Sequence, residues 1–144
     1  MNFSIICATF NRSKTIERSI KSVIKQTEKD WELIIVDDGS FDNTLKIIKE
    51  YENDSRIKIF SLKNNKGVGY SRNFGIKNAT GDWIILLDSD NALNEKALYY
   101  MKKMMILYPN YKMHKFQVKS FKGDLMGVAP KKSKVISTKE FLNN

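Results

Sequence analysis

The sequence predicts an α/β protein built on a doubly wound, mostly parallel sheet. Three observations carry that expectation. Phe3–Phe10, the hydrophobic part of "WELIIVDDGS" and Trp83–Leu87 are apolar runs of strand length without the alternation of a half-wet sheet, which suits strands covered on both faces. The segments between them carry apolar residues at helical spacing. Polar and acidic residues gather just beyond the strands, where open α/β sheets take their ligands.

The elements follow in order. The first strand runs from Phe3 to Phe10, and Ser13 is placed to cap a helix with Ile16, Ile20, Val23 and Ile24 on one face. A second buried strand ends in Asp37 and Asp38 before a Gly-Ser turn, and Asp42 or Asn43 can cap a helix that turns Leu45, Ile48 and Tyr51 inward. "RIKIFSL" reads as a third strand. The loop "KNNKGVG" leads into a short helix, "YSRNFGIKNA", which Thr80 and Gly81 can end. Trp83–Leu87 is the fourth strand, buried, and Asn94 caps a helix that Pro109 stops. This βαβαβαβα order argues for a parallel sheet, and right-handed crossovers bring all four strand carboxyl ends to one edge. Residues 1–107 are therefore assigned to the α/β core and residues 108–144 to a basic extension of the same domain. In the extension, "YKMHKFQVKSF" suggests an edge or antiparallel strand, Gly123-Asp124 a turn, "LMGVA" a strand pairing back, and "ISTKEFLNN" the first turns of a helix. Stopping there is expected of a longer architecture that has been cut or has degenerated.

Composition narrows the function. A chain of 144 residues suits one domain, and its 42% hydrophobic and 28% charged residues are ordinary for a globular fold. No apolar run approaches the ~20 residues of a membrane span. "MNFSIICATF" lacks the basic start and cleavage site of a signal peptide, so a cytoplasmic place is expected and the four Asn-x-Ser/Thr sequons carry no weight. With only Cys7 and His114, neither a disulfide framework nor a multi-histidine metal site can be built. The net charge of +9 is uneven: residues 102–144 hold ten lysines against Asp124 and Glu140. Such an excess marks either a solvated face or a surface turned to a polyanion such as phospholipid.

The chemistry sits at the strand ends. Asp88 and Asp90 are two residues apart on an extended segment, so they can aim at one point. Crowded carboxylates repel, and a hard cation such as Mg²⁺ or Mn²⁺ relieves the repulsion. Magnesium commonly takes one or two carboxylates and completes its shell with water and phosphate, so a two-Asp site implies a phosphate-bearing ligand. Asp38 suits a hydrogen bond from a nucleobase imide, whereas Asp37 reads as a cap for the turn. The glycines of "NKGVGYSRNFG" precede a helix start whose N–H groups attract anions, although no Walker ending is present. Arg72 adds a cation suited to phosphate or to bracing the acidic cluster.

At these residues the sequence resembles the family 2 glycosyltransferases, which have the GT-A fold. "SIICATFNR" is similar to the family's opening strand and turn, "ELIIVDDGSFDNT" to its IIVDDGSxDxT motif, and "NKGVGYSRNFGIKNATGDWIILLDSDN" to its NxGxxxARNxGxxxAxGxYIxFLDxDD block. The likeness runs from Met1 to Leu107. It implies a nucleotide-sugar donor, usually a UDP-sugar, bound with Mg²⁺ or Mn²⁺. Carried over by position, Thr9 and Asn11 would line the nucleotide pocket and Asp38 would bond the base. Arg72 would lie by the diphosphate, Asp88 would approach the ribose or metal, and Asp90 would be the principal metal ligand. Asn91 stands where the family often has another Asp. The implied reaction is inverting transfer to a hydroxyl of a saccharide or lipid-linked acceptor, in cell-surface polysaccharide synthesis at the inner membrane surface. The family's catalytic base lies in a C-terminal half, and Glu95, Asp124 and Glu140 match no such context, so the base is not assigned. The chain is expected to bind donor better than it transfers sugar, as a fragment of a longer enzyme or a truncated product.

Three other readings compete. A phosphoacceptor signalling domain would need its acidic pair after the first strand, which ends in Thr9. A nucleic-acid module could use Tyr111, Phe116 and Phe121 among the tail lysines, but no nucleic acid is expected. A nucleotide-sugar binder without turnover would differ from the leading reading only in catalysis.

Overall fold

The computed structural model describes residues 2–110 and the short strands at 118–119 and 125–126. The chain divides into two compact units, residues 1–100 and 101–144. In the first, β1 (Phe3–Thr9), α1 (Ile16–Ile24), β2 (Trp31–Asp37), α2 (Thr44–Lys49), β3 (Ile57–Ser61), α3 (Val68–Lys77) and β4 (Trp83–Leu86) alternate in the expected order. Their strands form one all-parallel sheet, β3-β2-β1-β4. A last helix, α4 (Ala97–Leu107), begins in the first unit and runs on in the second. In the second unit β5 (Val118–Lys119) pairs antiparallel with β6 (Leu125–Met126), so the two segments flanking the expected turn do pair back. The Gly123-Asp124 turn itself, His114, and the helix expected from Ile136 lie outside the described residues.

Continuous apolar runs become central strands. β2 is buried at every residue and β1 at all but Ala8. Ile6, Ile34 and Val36 form a core against Phe60, Leu62, Phe74 and Ala79, and Phe60 and Phe74 meet edge to face. α3 packs tightly on β1: a Cβ on Gly75 would lie 2.5 Å from Ile6 Cγ2. A side chain there would force helix and sheet apart.

Two local expectations change. β4 is not a buried strand: its residues alternate between half-buried and exposed, with Ile84 and Leu86 on the open side. Among the described residues it pairs only with β1 and so forms an edge. Ser13 does not cap α1. Thr15 holds the cap position without a side-chain bond, and the Ser13 N–H donates to Asp42 Oδ2 at 3.2 Å. The α2 cap position belongs to Asn43, one of the two residues expected there, and the other, Asp42, accepts the Thr44 N–H at 2.9 Å.

A buried carboxylate ties the far end of the sheet together. Glu32 on β2 accepts hydrogen bonds from Ser4 Oγ (2.5 Å) and from the Thr80 N–H (2.6 Å) and Oγ1 (2.9 Å), and it pairs with Lys58 Nζ at 2.7 Å. Burial pushes its carboxyl up, but the Lys58 ammonium and the donated hydrogen bonds outweigh burial and hold it at about 2. The clip fixes where α3 returns to the sheet to start β4.

Candidate functional site: a cleft at the strand switch point

Strand order reverses beside β1: β2 and β3 lie on one side of it and β4 on the other. Open α/β sheets bind ligands at this crevice. Here the carboxyl ends of β1, β2 and β4, with the start of α3, enclose a cleft of about 640 Å³. Thr9, Asn11, Asp38, Asp88 and Asp90 all line it. Arg72 is not a wall residue, but its Nη2 reaches Asp88 Oδ1 at 2.6 Å.

One wall is made by β2. Asp37 is fully buried and turned into the protein, accepting hydrogen bonds from the Ser40 N–H (3.3 Å), Ser40 Oγ and Ser61 Oγ (3.4 Å). It secures the turn, as the sequence suggests. Asp38 is also buried, but it faces the cleft and holds the next loop. Its two oxygens accept the N–H groups of Lys66 and Gly67, each at 2.8 Å. Gly67 opens α3 with a φ of 88°, a conformation that L side chains rarely adopt.

The loop after β1 is cross-braced to the loop after β2. The Asn11 N–H donates to Ser40 Oγ at 2.9 Å, and Asn11 Oδ1 accepts the Phe41 N–H at 3.0 Å. The Arg12 N–H donates to Thr44 Oγ1 at 2.7 Å. Asn11 has φ 52°, a left-handed conformation that asparagine tolerates better than most residues. Its amide oxygen thus already shapes the rim. Burial pushes the Asp42 carboxyl up, but hydrogen bonds from Thr44 and Ser13 outweigh it and lower the carboxyl to about 2.

The opposite wall is β4's end. Ser89 is buried, while Asp88 and Asp90 on either side of it are exposed and line the cleft. Their charges reach the neighbouring strand. Burial, then Asp88, then Asp90 push the Cys7 thiol up to about 12, so this cysteine is an inert core residue. Ser71, which the sequence reading passed over, also lines the cleft. Its hydroxyl and that of Thr9 are buried without a hydrogen-bond partner, the kind of group a ligand or water usually meets. Ser71 stands one helical turn after Gly67, on the face α3 turns to the sheet, and that spacing was the available signal.

Two exposed carboxylates offer the hard oxygens that Mg²⁺ or Mn²⁺ prefers, so the donor set fits such a cation. Among the described residues no cluster of three or more His, Cys, Asp or Glu side chains could enclose a metal. A cation at Asp88 and Asp90 would complete its shell with ligand and water oxygens.

A parallel α/β sheet with a cleft at its switch point is a ligand-binding class of fold. Within that class the chain belongs to glycosyl transferase family 2, whose family model matches residues 4–119. It is 40% identical over 116 residues to the Escherichia coli UDP-Glc:alpha-D-GlcNAc-diphosphoundecaprenol beta-1,3-glucosyltransferase WfgD, covering 76% of this chain and 46% of that protein. The crystal structure of Staphylococcus aureus TarS 1–349 in complex with UDP-GlcNAc superposes with a TM-score of 0.72 at 33% identity, over 76% of this chain and 32% of that one. The mannosyltransferase PcManGT of Pyrobaculum calidifontis, solved with GDP-Man and Mn²⁺, shares the fold at 21% identity, with a TM-score of 0.67 over 72% of this chain and 32% of that one. These neighbours are GT-A glycosyltransferases. The chain spans between 20% and 46% of the length of the first curated relatives it matches.

Proposed function

We propose that this chain is the donor-binding part of a glycosyltransferase that takes a UDP-sugar with a divalent metal for inverting transfer to a hydroxyl acceptor in cell-surface polysaccharide synthesis. The observation that carries the reading is the single cleft shared by Thr9, Asn11, Asp38, Asp88 and Asp90. A donor would lie with its base toward Asp38 and its diphosphate toward Asp88, Asp90 and the Arg72 guanidinium. Asp38 would add the base imide to the two N–H groups it already accepts, since a carboxylate has room for about four hydrogen bonds. Asp88 and Asp90 would hold Mg²⁺ or Mn²⁺, which would neutralise charge building on the departing diphosphate. Arg72, paired with Asp88, keeps the acidic wall from repelling an anionic ligand and can itself contact phosphate.

The test is a calorimetric titration with UDP, GDP and UDP-GlcNAc, with and without Mn²⁺, on the native chain and on Asp90→Asn. UDP should bind in a metal-dependent way, and Asp90→Asn should weaken that binding at least tenfold. Metal-independent binding, or none, would overturn the reading. Release of UDP from the sugar nucleotide would then distinguish a transferase from a binder without turnover. The lysine excess in residues 102–144 supports a peripheral place on the anionic cytoplasmic face of a membrane. Among the described residues no helix is long and apolar enough to cross one. Co-sedimentation should rise with the anionic lipid content of vesicles and fall with salt; indifference to both would remove that part of the proposal.

A further inference from the structure

The loop that carries the acidic pair has little structure of its own. From Leu87 to Asn94 there is no helix or strand, and Asn91 shapes it internally, donating its N–H to the Asp88 carbonyl at 2.9 Å and its Nδ2 to Asp88 Oδ2 at 3.5 Å. Its path is instead set by α1. Ser19 Oγ donates to the Asn91 carbonyl at 2.6 Å, and Arg18 Nη2 donates to the Asp90 carbonyl. The Leu93 N–H donates to Ser22 Oγ at 3.0 Å. Just past the helix, Gln26 is fully buried, donating through Nε2 to the Asn94 carbonyl at 2.7 Å and accepting the Leu98 N–H through Oε1 at 3.0 Å.

Ser19 and Ser22 lie one turn apart on one side of α1, and Gln26, just beyond its end, continues their line at i+7 from Ser19. Every one of their bonds to the loop goes to main chain. Such bonds hold the backbone whatever the loop side chains do, and Asp88 and Asp90 of this loop line the cleft. The Asp38 wall is held by a separate set of bonds, so the two walls can be perturbed independently.

We propose that Ser19 and Gln26 are positioning residues for the Asp88–Asp90 pair, setting the aim of the two carboxylates and hence the affinity for a divalent cation in the nucleotide complex. This rests on the reading of the site given above. The test compares the native chain with Ser19→Ala and Gln26→Leu. Free Mn²⁺ is counted by electron paramagnetic resonance in a titration with saturating UDP, and the spectrum of the bound ion is recorded. Loss of a partner that orients metal ligands commonly lowers metal affinity about 10- to 100-fold. Each variant should therefore lose about tenfold in Mn²⁺ affinity and broaden the bound-ion spectrum. A purely structural role would lower the melting temperature without altering either metal readout. Ser19→Ala deletes one hydroxyl and keeps the test alive if Gln26→Leu does not fold. Native protein that takes up no Mn²⁺ with UDP removes the site reading and this proposal together. Native uptake that is unchanged in a folded Ser19→Ala overturns this proposal alone.

Discussion

The ends of β2 and β4 carry the same chemistry in opposite states. Asp37 and Asp38 are buried, and between them they accept five hydrogen bonds from main-chain and hydroxyl donors. Asp88 and Asp90 are exposed, and Asp88 is met by the half-exposed Arg72. Saturated carboxylates hold loops in place. Carboxylates left to the solvent repel each other and are suited to bind something. At equivalent ends of one sheet, Asp37 is therefore scaffold, Asp88 and Asp90 stand open, and Asp38 is between the two, holding its loop while facing the cleft.

That contrast can be broken most sharply at Asp37. Asp37→Ala strips a buried network of its acceptor and orphans the Ser40 and Ser61 donors, which should cost roughly 3 kcal/mol, read from urea or thermal unfolding. A cost near zero would erase the distinction between the two strand ends. Glu32 belongs with the saturated class and gives the comparison a pH axis. Its folded-state pKa is depressed to about 2, so its contribution is present above the ordinary glutamate range and is lost as pH falls from about 4.5 toward 2. Glu32→Gln should cost on the order of 2 kcal/mol at pH 7 and make stability fall less steeply across that acid window. Asp38→Asn keeps one acceptor oxygen and should cost about 1 kcal/mol, with faster hydrogen exchange confined to the Lys66 and Gly67 amides. Asp88→Ala should be smallest, within about 0.5 kcal/mol of the native chain. A large loss there would mean that the Arg72 pair is architecture rather than part of an open site.

Much of the scaffold could be read from the residues because continuous apolar runs and helical spacing report burial directly. β1 and β2 follow that rule. β4 does not: Ile84 and Leu86 are as hydrophobic as Ile34 and Val36, yet they are exposed on a strand that is an edge among the described residues, and hydrophobicity says nothing of strand order. Helix starts were misread at Ser13 because a capping residue is chosen by backbone geometry that depends on the neighbouring loop. The acidic residues of the cleft stood out because carboxylates after apolar runs are conspicuous. Ser71 and the Ser19–Ser22–Gln26 stripe were missed for the opposite reason. Small polar residues inside a helix look like surface until tertiary structure shows what they touch.

The pairing of β1 with β4 joins Phe3 through Ile6 to Trp83 through Leu86, across some eighty intervening residues. Contacts so remote along the chain form late, after the entropy of closing a long loop has been met. β1 and β2 can associate while a nascent chain is still being made, but the crevice beside them has no second wall until β4 arrives. Ligand that stabilises this final docking step would pull the folding equilibrium forward by mass action. Under the proposed function, completion of the fold would then be coupled to the supply of donor.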